Sequence, residues 1–462
     1  MKLLSIDIGS TWTKGALFEI GQGSLKCGVR CAVPTTVDDL ARGFFAVAEN
    51  LAGGTIVDQV REGRLELAYS SSAKGGLAVA ALGLVPEVTL ETAKLAAYSA
   101  GARLTQVLSY RLTRSDIEEL QRNPPDILLF AGGTDGGNTD YVLANAQALS
   151  ASSIDCAIVY AGNRSVADEV GDLLRGKNFL SVANVLPDMS NPNPDPARSA
   201  IRGVFLEQIV KGKGLDTIVE ATGAQPLPTP YAMFEYAKAI REHVNGWEEF
   251  VLLDMGGATT DVYSAHEENP APGTVLRSLP EPVVKRTVEG DLGMRVSAVS
   301  AAQAAAPLLP AMGLDASDAE TLAAYAARVT LAPDTLPPNA EEKRLDSLLA
   351  GACVTQACIR HAGRASMVYT PDGDVRVQTG RDLSAVPRVI GSGGWLARAG
   401  QFKPSAWLSQ FRIDEKRRAV LMPGRFEYWR DEAYLFPLLA NAARLHPRAA
   451  ALAGIGALTR SE

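Results

Sequence analysis

Cysteine is scarce in this sequence, which has five in 462 residues: Cys27, Cys31, Cys156, Cys353 and Cys358. Their odd number and scattered positions argue against a disulfide framework. Cys353 and Cys358 lie close to His361 on an Ala-rich stretch, so a metal site is one interpretation. Because no second pair of ligands stands nearby in the sequence, buried free thiols are the interpretation we favour.

Long hydrophobic runs are missing as well. The Ala-rich stretch from Leu438 to Ala457 is interrupted by Arg444, Pro447 and Arg448, so we do not expect it to span a bilayer. The N-terminus enters an apolar strand without the charged lead of a secretory signal. We therefore expect a cytoplasmic protein that does not bind a membrane.

An excess of basic charge is also absent, since the formal net charge is −7. This charge gives no electrostatic footprint for nucleic acid, and the cluster Lys416-Arg417-Arg418 is typical of a solvated helix face or turn. Hydrophobic residues make up 47% of the chain and charged residues 21%, which is ordinary for a globular protein. The length allows two or three domains and a large core.

The most informative stretch present is Phe250 to Ser264, which reads FVLLDMGGATTDVYS. Its apolar start predicts a buried strand that ends at Asp254, turns at Gly256-Gly257 and continues as a second strand. Adjacent glycines let backbone N–H groups point at an anion, and Thr259 and Thr260 add hydroxyl donors. A carboxylate beside phosphates is tolerable only with a cation such as Mg²⁺ between them. The pattern therefore predicts a hairpin with space for a phosphate at its tip.

The N-terminus repeats this pattern between Leu3 and Phe18. Asp7 ends the first strand, a turn with a glycine and hydroxyls follows, and Lys14 adds a positive charge in the second strand. A third glycine-rich turn, residues 391–394, follows a short strand and precedes a predicted helix start. An adenine and its ribose can lie against the bare backbone of such a turn.

The three motifs in this order resemble the phosphate 1, phosphate 2 and adenosine motifs of the actin-like ATPase superfamily, which includes actin, heat-shock chaperone ATPases and sugar kinases. The segments Ile127 to Asn138, Phe250 to Asp261 and Glu289 to Arg295 further resemble the glutamate-mutase-associated MutL/GlmL family, over nearly the whole chain. That family is unrelated to the mismatch-repair protein called MutL. The resemblance implies an α/β, actin-like ATPase (ribonuclease H-like) fold, with two similar lobes around a nucleotide cleft.

Strands that alternate with helices favour parallel-sheet α/β units in the first half of the chain. We predict a first lobe over residues 1–249, with an αβ insert near 71–125. We predict a second lobe over residues 250–462, with a helical insert near 308–349.

The resemblance makes Asp7 and Asp254 the candidate catalytic residues and ligands of Mg²⁺, with Asp254 also orienting the attacking water. The residues expected to bind the phosphates of ATP are Gly9, Ser10, Thr11, Thr13, Lys14, Gly256, Gly257, Ala258 and Thr259. The residues expected to receive the adenosine are Gly391, Ser392, Gly393 and Gly394. Ala258 stands where many chaperone ATPases keep a third glycine.

Four further assignments each leave two roles open. Asp261 either holds its own hairpin, which we favour, or supports the site. Asp291 either interacts with a helix dipole or belongs to a functional surface. Lys74 either touches phosphate or is a solvated loop residue. The loop Gly132 to Gly137 either contacts nucleotide or a partner, or is a structural turn.

The resemblance implies an ATP-dependent accessory or reactivating factor for an adenosylcobalamin-dependent mutase of the glutamate mutase type, which acts as an ATPase. Its expected partners are the mutase subunits and the nucleotide, and a homodimer is one state that we consider. Two alternatives remain: a small-molecule kinase on the same fold, and a nucleotide-gated scaffold with negligible turnover.

Overall fold

A computed structural model of the chain describes residues 1–72, 77–208, 214–371 and 373–462. The chain divides into two compact units, Met1–Glu235 with Ala440–His446, and Tyr236–Leu439 with Pro447–Glu462. Within the described ranges, no helix is long and apolar enough to cross a lipid bilayer. The lobes predicted at 1–249 and 250–462 remain a prediction beside these units.

The first unit contains two sheets and their helices. Its strands are β1 (Lys2–Ile8), β2 (Trp12–Ile20), β3 (Leu25–Pro34), β4 (Leu65–Ser71), β5 (Ala78–Gly83), β6 (Arg103–Ser109), β7 (Ile127–Ala131), β8 (Ala157–Tyr160), β9 (Phe179–Ser181) and β10 (Leu227–Pro228). The helices of this part of the chain are α1 (Leu40–Ala52), α2 (Ile56–Arg61), α3 (Glu91–Ser99), α4 (Arg114–Arg122), α5 (Asp140–Ala151), α6 (Ala167–Leu173), α7 (Asp195–Gln208), α8 (Leu215–Thr222) and α9 (Thr229–His243).

The first sheet has the strand order β10-β4-β1-β2-β3. Strands β1, β2 and β3 are antiparallel neighbours, and β4 lies parallel to β1. Helix α1 is capped at its start by Asp39, whose side chain accepts a hydrogen bond from the N–H of Ala41 at 3.1 Å. Its apolar face packs on β2, where Gly15 leaves room for the side chains of Val47 and Leu51. The carboxyl end of β1, with Asp7, is thereby fixed on a buried scaffold.

The second sheet of this unit is an insert of parallel strands in the order β6-β5-β7-β8-β9. The strands β7 and β8 are buried along their whole length, as expected where helices cover both faces of a parallel sheet. This sheet runs from Ala78 to Ser181, and the insert near 71–125 stays a prediction beside it. Sequence periodicity predicted the later strands but did not show that they join the same sheet.

The second unit also has two sheets. Its strands are β11 (Phe250–Met255), β12 (Thr260–Ala265), β13 (Thr274–Leu276), β14 (Val284–Glu289), β15 (Arg364–Thr370), β16 (Gly373–Thr379), β17 (Arg388–Ser392), β18 (Ala419–Val420), β19 (Glu427–Arg430) and β20 (Thr459–Arg460). The remaining helices are α10 (Ala298–Ala305), α11 (Ala316–Leu331), α12 (Ala340–His361), α13 (Pro404–Leu408), α14 (Phe436–Ala443) and α15 (Pro447–Gly456).

The main sheet of the second unit has the order β14-β12-β11-β17-β19-β20. Strands β14, β12 and β11 are antiparallel neighbours, whereas β17 and β19 continue the sheet parallel to β11. The first sheet follows the same plan, in which an antiparallel trio is extended by parallel strands next to its first member. The prediction of an α/β, actin-like (ribonuclease H-like) fold is thus confirmed.

Helices α10, α11 and α12 follow the main antiparallel strands, and the helical insert near 308–349 stays a prediction beside them. They share one hydrophobic core with the main sheet, in which Leu322, Leu349 and Cys353 are fully buried together with Leu253 of β11. Helix α12 extends to His361, beyond the predicted limit. A smaller sheet with the order β13-β16-β15-β18 completes the unit.

Candidate functional site

The first hairpin joins β1 and β2 through a tight turn. The N–H of Gly9 donates to the carbonyl oxygen of Trp12 at 3.1 Å. A Cβ at Gly9 would lie 2.8 Å from that same oxygen, so the turn requires glycine. Ser10 and Thr11 are exposed at the tip, where their backbone and hydroxyl groups can meet a ligand.

Asp7 lies at the carboxyl end of β1 and is 3% exposed. Its Oδ1 accepts hydrogen bonds from Thr229 Oγ1 at 2.8 Å and from Ser70 Oγ at 3.3 Å. Its Oδ2 is 4.0 Å from Lys14 Nζ. Ser70 is paired with Asp7 in the neighbouring strand β4, and Thr229 directly follows β10. Three parallel strands therefore end in a carboxylate and the two hydroxyls that hold it.

Thr13 is not brought to this group. It pairs with Ile8 in the hairpin, whereas Lys14 pairs with Asp7, so Thr13 and Lys14 project from opposite faces of the sheet. The buried hydroxyl of Thr13 lies 3.0 Å from Thr35 Oγ1. Lys74, the other candidate cation of this unit, lies outside the described residues.

The second hairpin repeats the first one within the second unit. Asp254 pairs with Asp261 across β11 and β12, and the N–H of Gly256 donates to the carbonyl oxygen of Thr259 at 2.8 Å. Asp254 is half-buried at the end of its strand. Gly257 is exposed at the tip, next to Ala258. The pattern of strand, aspartate, glycine turn and strand is therefore present in both units.

Asp261 has a structural role, as we favoured from the sequence. Its Oδ1 accepts from Arg286 Nε of the adjacent strand β14 at 2.8 Å, and both side chains are buried. Its Oδ2 accepts from Thr259 Oγ1 at 3.3 Å. The hydroxyl of Thr259, expected to bind phosphate, is thus oriented toward Asp261 in this structure.

The segment Glu289 to Arg295 closes over the turn of the second hairpin. The N–H groups of Met294 and Arg295 donate to the carbonyl oxygens of Gly256 and Gly257, at 3.1 and 2.8 Å. A Cβ at Gly293 would overlap the carbonyl group of Ala258, which explains the glycine of this segment. The segment therefore fixes the backbone that is expected to face phosphate.

Asp291 in the same segment does not cap a helix, because α10 begins only at Ala298. Its carboxylate instead forms two hydrogen bonds with the guanidinium of Arg360 on α12, at 2.6 and 2.8 Å. Arg360 also donates to Glu289 at 2.8 Å. This arrangement lowers the pKa of Asp291, chiefly through its hydrogen bond with Arg360. Asp291 thus ties the segment to α12.

A second ion pair connects the turn to the helical insert. Arg295 donates to both oxygens of Asp346 on α12 at 2.9 Å, and Asp346 is buried. The hydroxyl of Tyr325 on α11 donates to Asp346 Oδ1 at 2.7 Å. A paired, hydrogen-bonded guanidinium is the arrangement in which a buried carboxylate is stable.

The third turn lies beside the second hairpin. Ser392 of β17 is the strand neighbour of Asp254, and a Cβ at Gly393 would overlap the carbonyl oxygen of Met255. A Cβ at Gly391 would overlap the hydroxyl of Tyr428. These two glycines therefore serve close packing, and Gly394 is the one exposed to open space. Turns, not an α-helix, follow it until α13.

Asp431, which the sequence did not single out, completes this group. Its Oδ2 accepts from Ser392 Oγ at 3.1 Å, and its carboxylate accepts from the N–H groups of Leu435 and Phe436 at 2.7 and 2.9 Å. It is 2% exposed. Asp431 thereby caps the start of α14 and fixes the hydroxyl beside Asp254. A carboxylate directly after a strand, followed by an apolar helix, was the signal available in the sequence.

No group of three or more His, Cys, Asp or Glu side chains is arranged to hold a metal ion in the part of the chain described. Burial raises the pKa of the Cys353 and Cys358 thiols to about 12, so both are inert. His361 lies 2.8 Å from both Thr287 Oγ1 and Ser264 Oγ. Mg²⁺ does not need a cluster of protein ligands, because it keeps several bound waters and uses one or two carboxylates plus phosphates. Asp7 and Asp254 offer donors of that kind.

The loop Gly132 to Gly137 after β7 is held by side chains of the neighbouring loops. Asn163 accepts from the N–H of Gly136 at 3.0 Å, and Asn184 donates to the carbonyl oxygen of Gly133 at 3.0 Å. Asp135 accepts from Asn184 at 2.9 Å. These contacts favour the structural interpretation of this loop.

The sequence model of the family described as "MutL protein" matches residues 3–453. Protein MutL of Clostridium tetanomorphum is 36% identical over 452 residues, which is 95% of each chain.

Solved structures give weaker likenesses. A diol dehydratase-reactivating factor in nucleotide-free form is 10% identical, with a TM-score of 0.31 over 96% of this chain and 99% of that one. The activator of 2-hydroxyisocaproyl-CoA dehydratase from Clostridium difficile, with bound ADPNP, is 9% identical, with a TM-score of 0.29 over 97% and 96%. The family model and the relative from Clostridium tetanomorphum show that the chain belongs to the MutL protein family, of the type distinct from mismatch-repair MutL.

Proposed function

We propose that this protein binds Mg²⁺-ATP through its two aspartate-ended hairpins, hydrolyses it slowly, and uses it to reactivate an adenosylcobalamin-dependent mutase of the glutamate mutase type. The observation that carries the ATP part is the repeated layout, in which each main sheet ends a buried strand in aspartate before a tight glycine turn. The mutase part is supported by membership in the MutL family and by the sequence resemblance that implies this partner.

The phosphates are the first group that this site must hold. The exposed turn of the first hairpin offers the backbone of Ser10 and Thr11, and Lys14 adds an ammonium group that is partly exposed. The turn of the second hairpin offers the backbone of Gly257 and Ala258, which the segment of Met294 and Arg295 keeps in one conformation. Fixed N–H groups and one cation are what phosphoryl oxygens require.

Bound Mg²⁺ would neutralise charge on the phosphates, which lowers the barrier to their transfer. Asp7 is suited to hold the hydrated ion, because Ser70 and Thr229 fix the orientation of its carboxylate. Asp254, at the less buried end of β11, would accept a hydrogen bond from the attacking water and direct it. Gly394 would leave open backbone for the adenosine, with Ser392 holding the end of β17 in place.

The test uses the full-length protein with Mg²⁺-ATP. We expect slow phosphate release without a second substrate, and ATP-dependent recovery of turnover by a glutamate mutase that was first inactivated. A non-hydrolysable ATP analogue is the matched control, and it should not support recovery.

Two outcomes would replace the proposal. If ATP is consumed only when a small hydroxyl compound is supplied, and that compound is phosphorylated, the protein is a kinase. If ATP binds without turnover and without recovery of the mutase, the protein is a nucleotide-gated scaffold.

A further inference from the structure

Strand β15 of the small sheet is fully paired on one side and only partly paired on the other. On the first side it pairs with β16 from Arg364 to Thr370. On the other side β18 pairs only with Arg364 and Ala365. Among the described residues, no strand pairs with the rest of that side, Ser366 to Thr370. We call this segment the open edge.

The open edge has the composition of a strand that can accept a second strand. It reads SMVYT, without charge, proline or glycine. Met367, Val368 and Tyr369 are 54%, 37% and 82% exposed. Residues with branched or aromatic side chains favour strands, and unpaired N–H and C=O groups at such an edge are a template for another chain.

Three other edge strands have features that hinder strand addition. The edge strand β3 carries Lys26, Arg30 and Pro34, and β14 carries Lys285. Strand β13, at the opposite edge of the small sheet, is three residues long. Charge, proline and short length are the usual means of blocking an edge. The open edge has none of these features and is therefore available to a partner strand.

We propose that the open edge joins two copies of this chain, with β15 of each copy pairing antiparallel about a two-fold axis at Val368. In this register Val368 faces Val368 of the partner subunit. Met367 faces Tyr369 of the partner subunit, and Ser366 faces Thr370 of the partner subunit. A two-fold contact of this kind closes on itself and makes a dimer, not a fibre.

The side chains of the open edge fit this register better than they fit an unrelated strand. A methionine sulfur beside an aromatic ring is a favourable contact, and the register makes that contact twice. Ser366 opposite Thr370 is a pair that can exchange hydrogen bonds between hydroxyls. Because the open edge has no charge, the strand does not repel its own copy. The pairing would join two four-stranded sheets into one continuous sheet.

The register is tested by cross-linking in the full-length protein with Cys27 and Cys31, the half-buried thiols, replaced by serine. Side chains directly opposite in antiparallel strands have Cβ atoms about 4.5–5.5 Å apart, within reach of a disulfide after a small shift. Val368→Cys should therefore form a disulfide-linked dimer under mild oxidation.

Neighbouring positions serve as the matched controls. Met367→Cys alone and Tyr369→Cys alone should cross-link poorly, because each would lie diagonal to its own copy, about 7–8 Å away. A mixture of the two variants should cross-link efficiently. Equal cross-linking at all three positions would overturn the register.

The dimer itself is tested by sedimentation of the unmodified protein and of two variants at Val368. Val368→Lys places two positive charges opposite each other and should weaken dimerisation at least about tenfold, whereas Val368→Thr should not. Basal ATP hydrolysis should stay unchanged in both, because the open edge is not part of the proposed site. An unmodified protein that stays monomeric at tens of micromolar overturns the proposal. If the N–H groups of the open edge become protected from hydrogen exchange only when mutase is added, the open edge binds that partner instead.

Discussion

The two main sheets carry side chains of similar type at the carboxyl ends of corresponding strands. The hydrogen bonds of these side chains, however, differ between the two sheets. In the first sheet, Ser70 and Thr229 from the two neighbouring parallel strands both donate to Asp7. The buried carboxylate is therefore held in one orientation by neutral donors.

In the main sheet of the second unit, the hydroxyl on the strand next to Asp254 donates to a different carboxylate. Ser392 donates to Asp431, which also caps α14, and Asp254 sits at the more exposed end of its strand. We propose a division of labour between two similar motifs. We expect Asp7 to be a fixed ligand position and Asp254 to be the group that acts on the water.

The largest expected effect is that of removing the charge of Asp254. Asp254→Asn keeps the shape of the side chain but removes the carboxylate that would direct the water, so phosphate release should fall about 10²- to 10⁴-fold. Binding of ATP, measured by calorimetry, should change little. If Asp254→Asn keeps wild-type turnover, Asp254 has no role in the mechanism and the proposed division of labour is wrong.

Asp431→Ala tests the structural side of the second motif. The change leaves the N–H groups of Leu435 and Phe436 and the hydroxyl of Ser392 without their buried acceptor, so the free energy of unfolding should fall by about 2–4 kcal/mol. Urea denaturation followed by tryptophan fluorescence is suitable, because four of the five tryptophans lie in the second unit. A loss under about 0.5 kcal/mol would contradict this account, since that is typical of a surface substitution.

Thr229→Val tests the first motif with a smaller change. It removes one hydrogen bond to the Asp7 carboxylate at almost constant volume, so the Mg²⁺ concentration that gives half-maximal hydrolysis should rise about tenfold, which corresponds to about 1.4 kcal/mol. Thr229→Ser keeps the hydroxyl and should restore the wild-type value. An equal effect of both substitutions would mean that packing at Thr229, not its hydroxyl, supports Asp7.

Acid should lower the stability of the second unit, by an amount similar to or smaller than the effect of Thr229→Val. Burial, with Lys285 and Arg381 nearby, holds the pKa of His361 well below its usual value of 6.5. Below pH 6.5 the unfolded chain therefore binds a proton that the folded chain does not, and the second unit should lose about 1.4 kcal/mol per pH unit.

The strands of the first sheet contain no histidine. Urea midpoints at pH 7 and 5.5, followed by tryptophan fluorescence, measure the loss in the second unit. His361→Gln is the control and should depend less on pH over this range. An equal dependence in both proteins would exclude His361 as the cause.

Sequence patterns predicted both hairpins because each one is local: strand, aspartate, glycine and strand follow within about fifteen residues. The partners of Asp7 could not be found in this way, since Thr229 lies 222 residues away and is brought near by the sheet order. The position of Thr13 was accessible, because side chains alternate along a strand and Thr13 and Lys14 cannot share a face. The helix expected after Gly394 is absent because the chain makes turns there before it reaches α13.

Helix α12 is held by side-chain contacts at two points. Asp346 pairs with Arg295 beside the second turn, and His361 lies against the hydroxyls of Ser264 on β12 and Thr287 on β14. Asp346 and His361 are 15 residues apart on this helix, which separates them by about 22 Å. Because contacts at two separate points of one helix resist its rotation about either point, we expect the turn, the helix and these strands to move together. A displacement at Gly257 would then be transmitted along α12 to the strands beside His361.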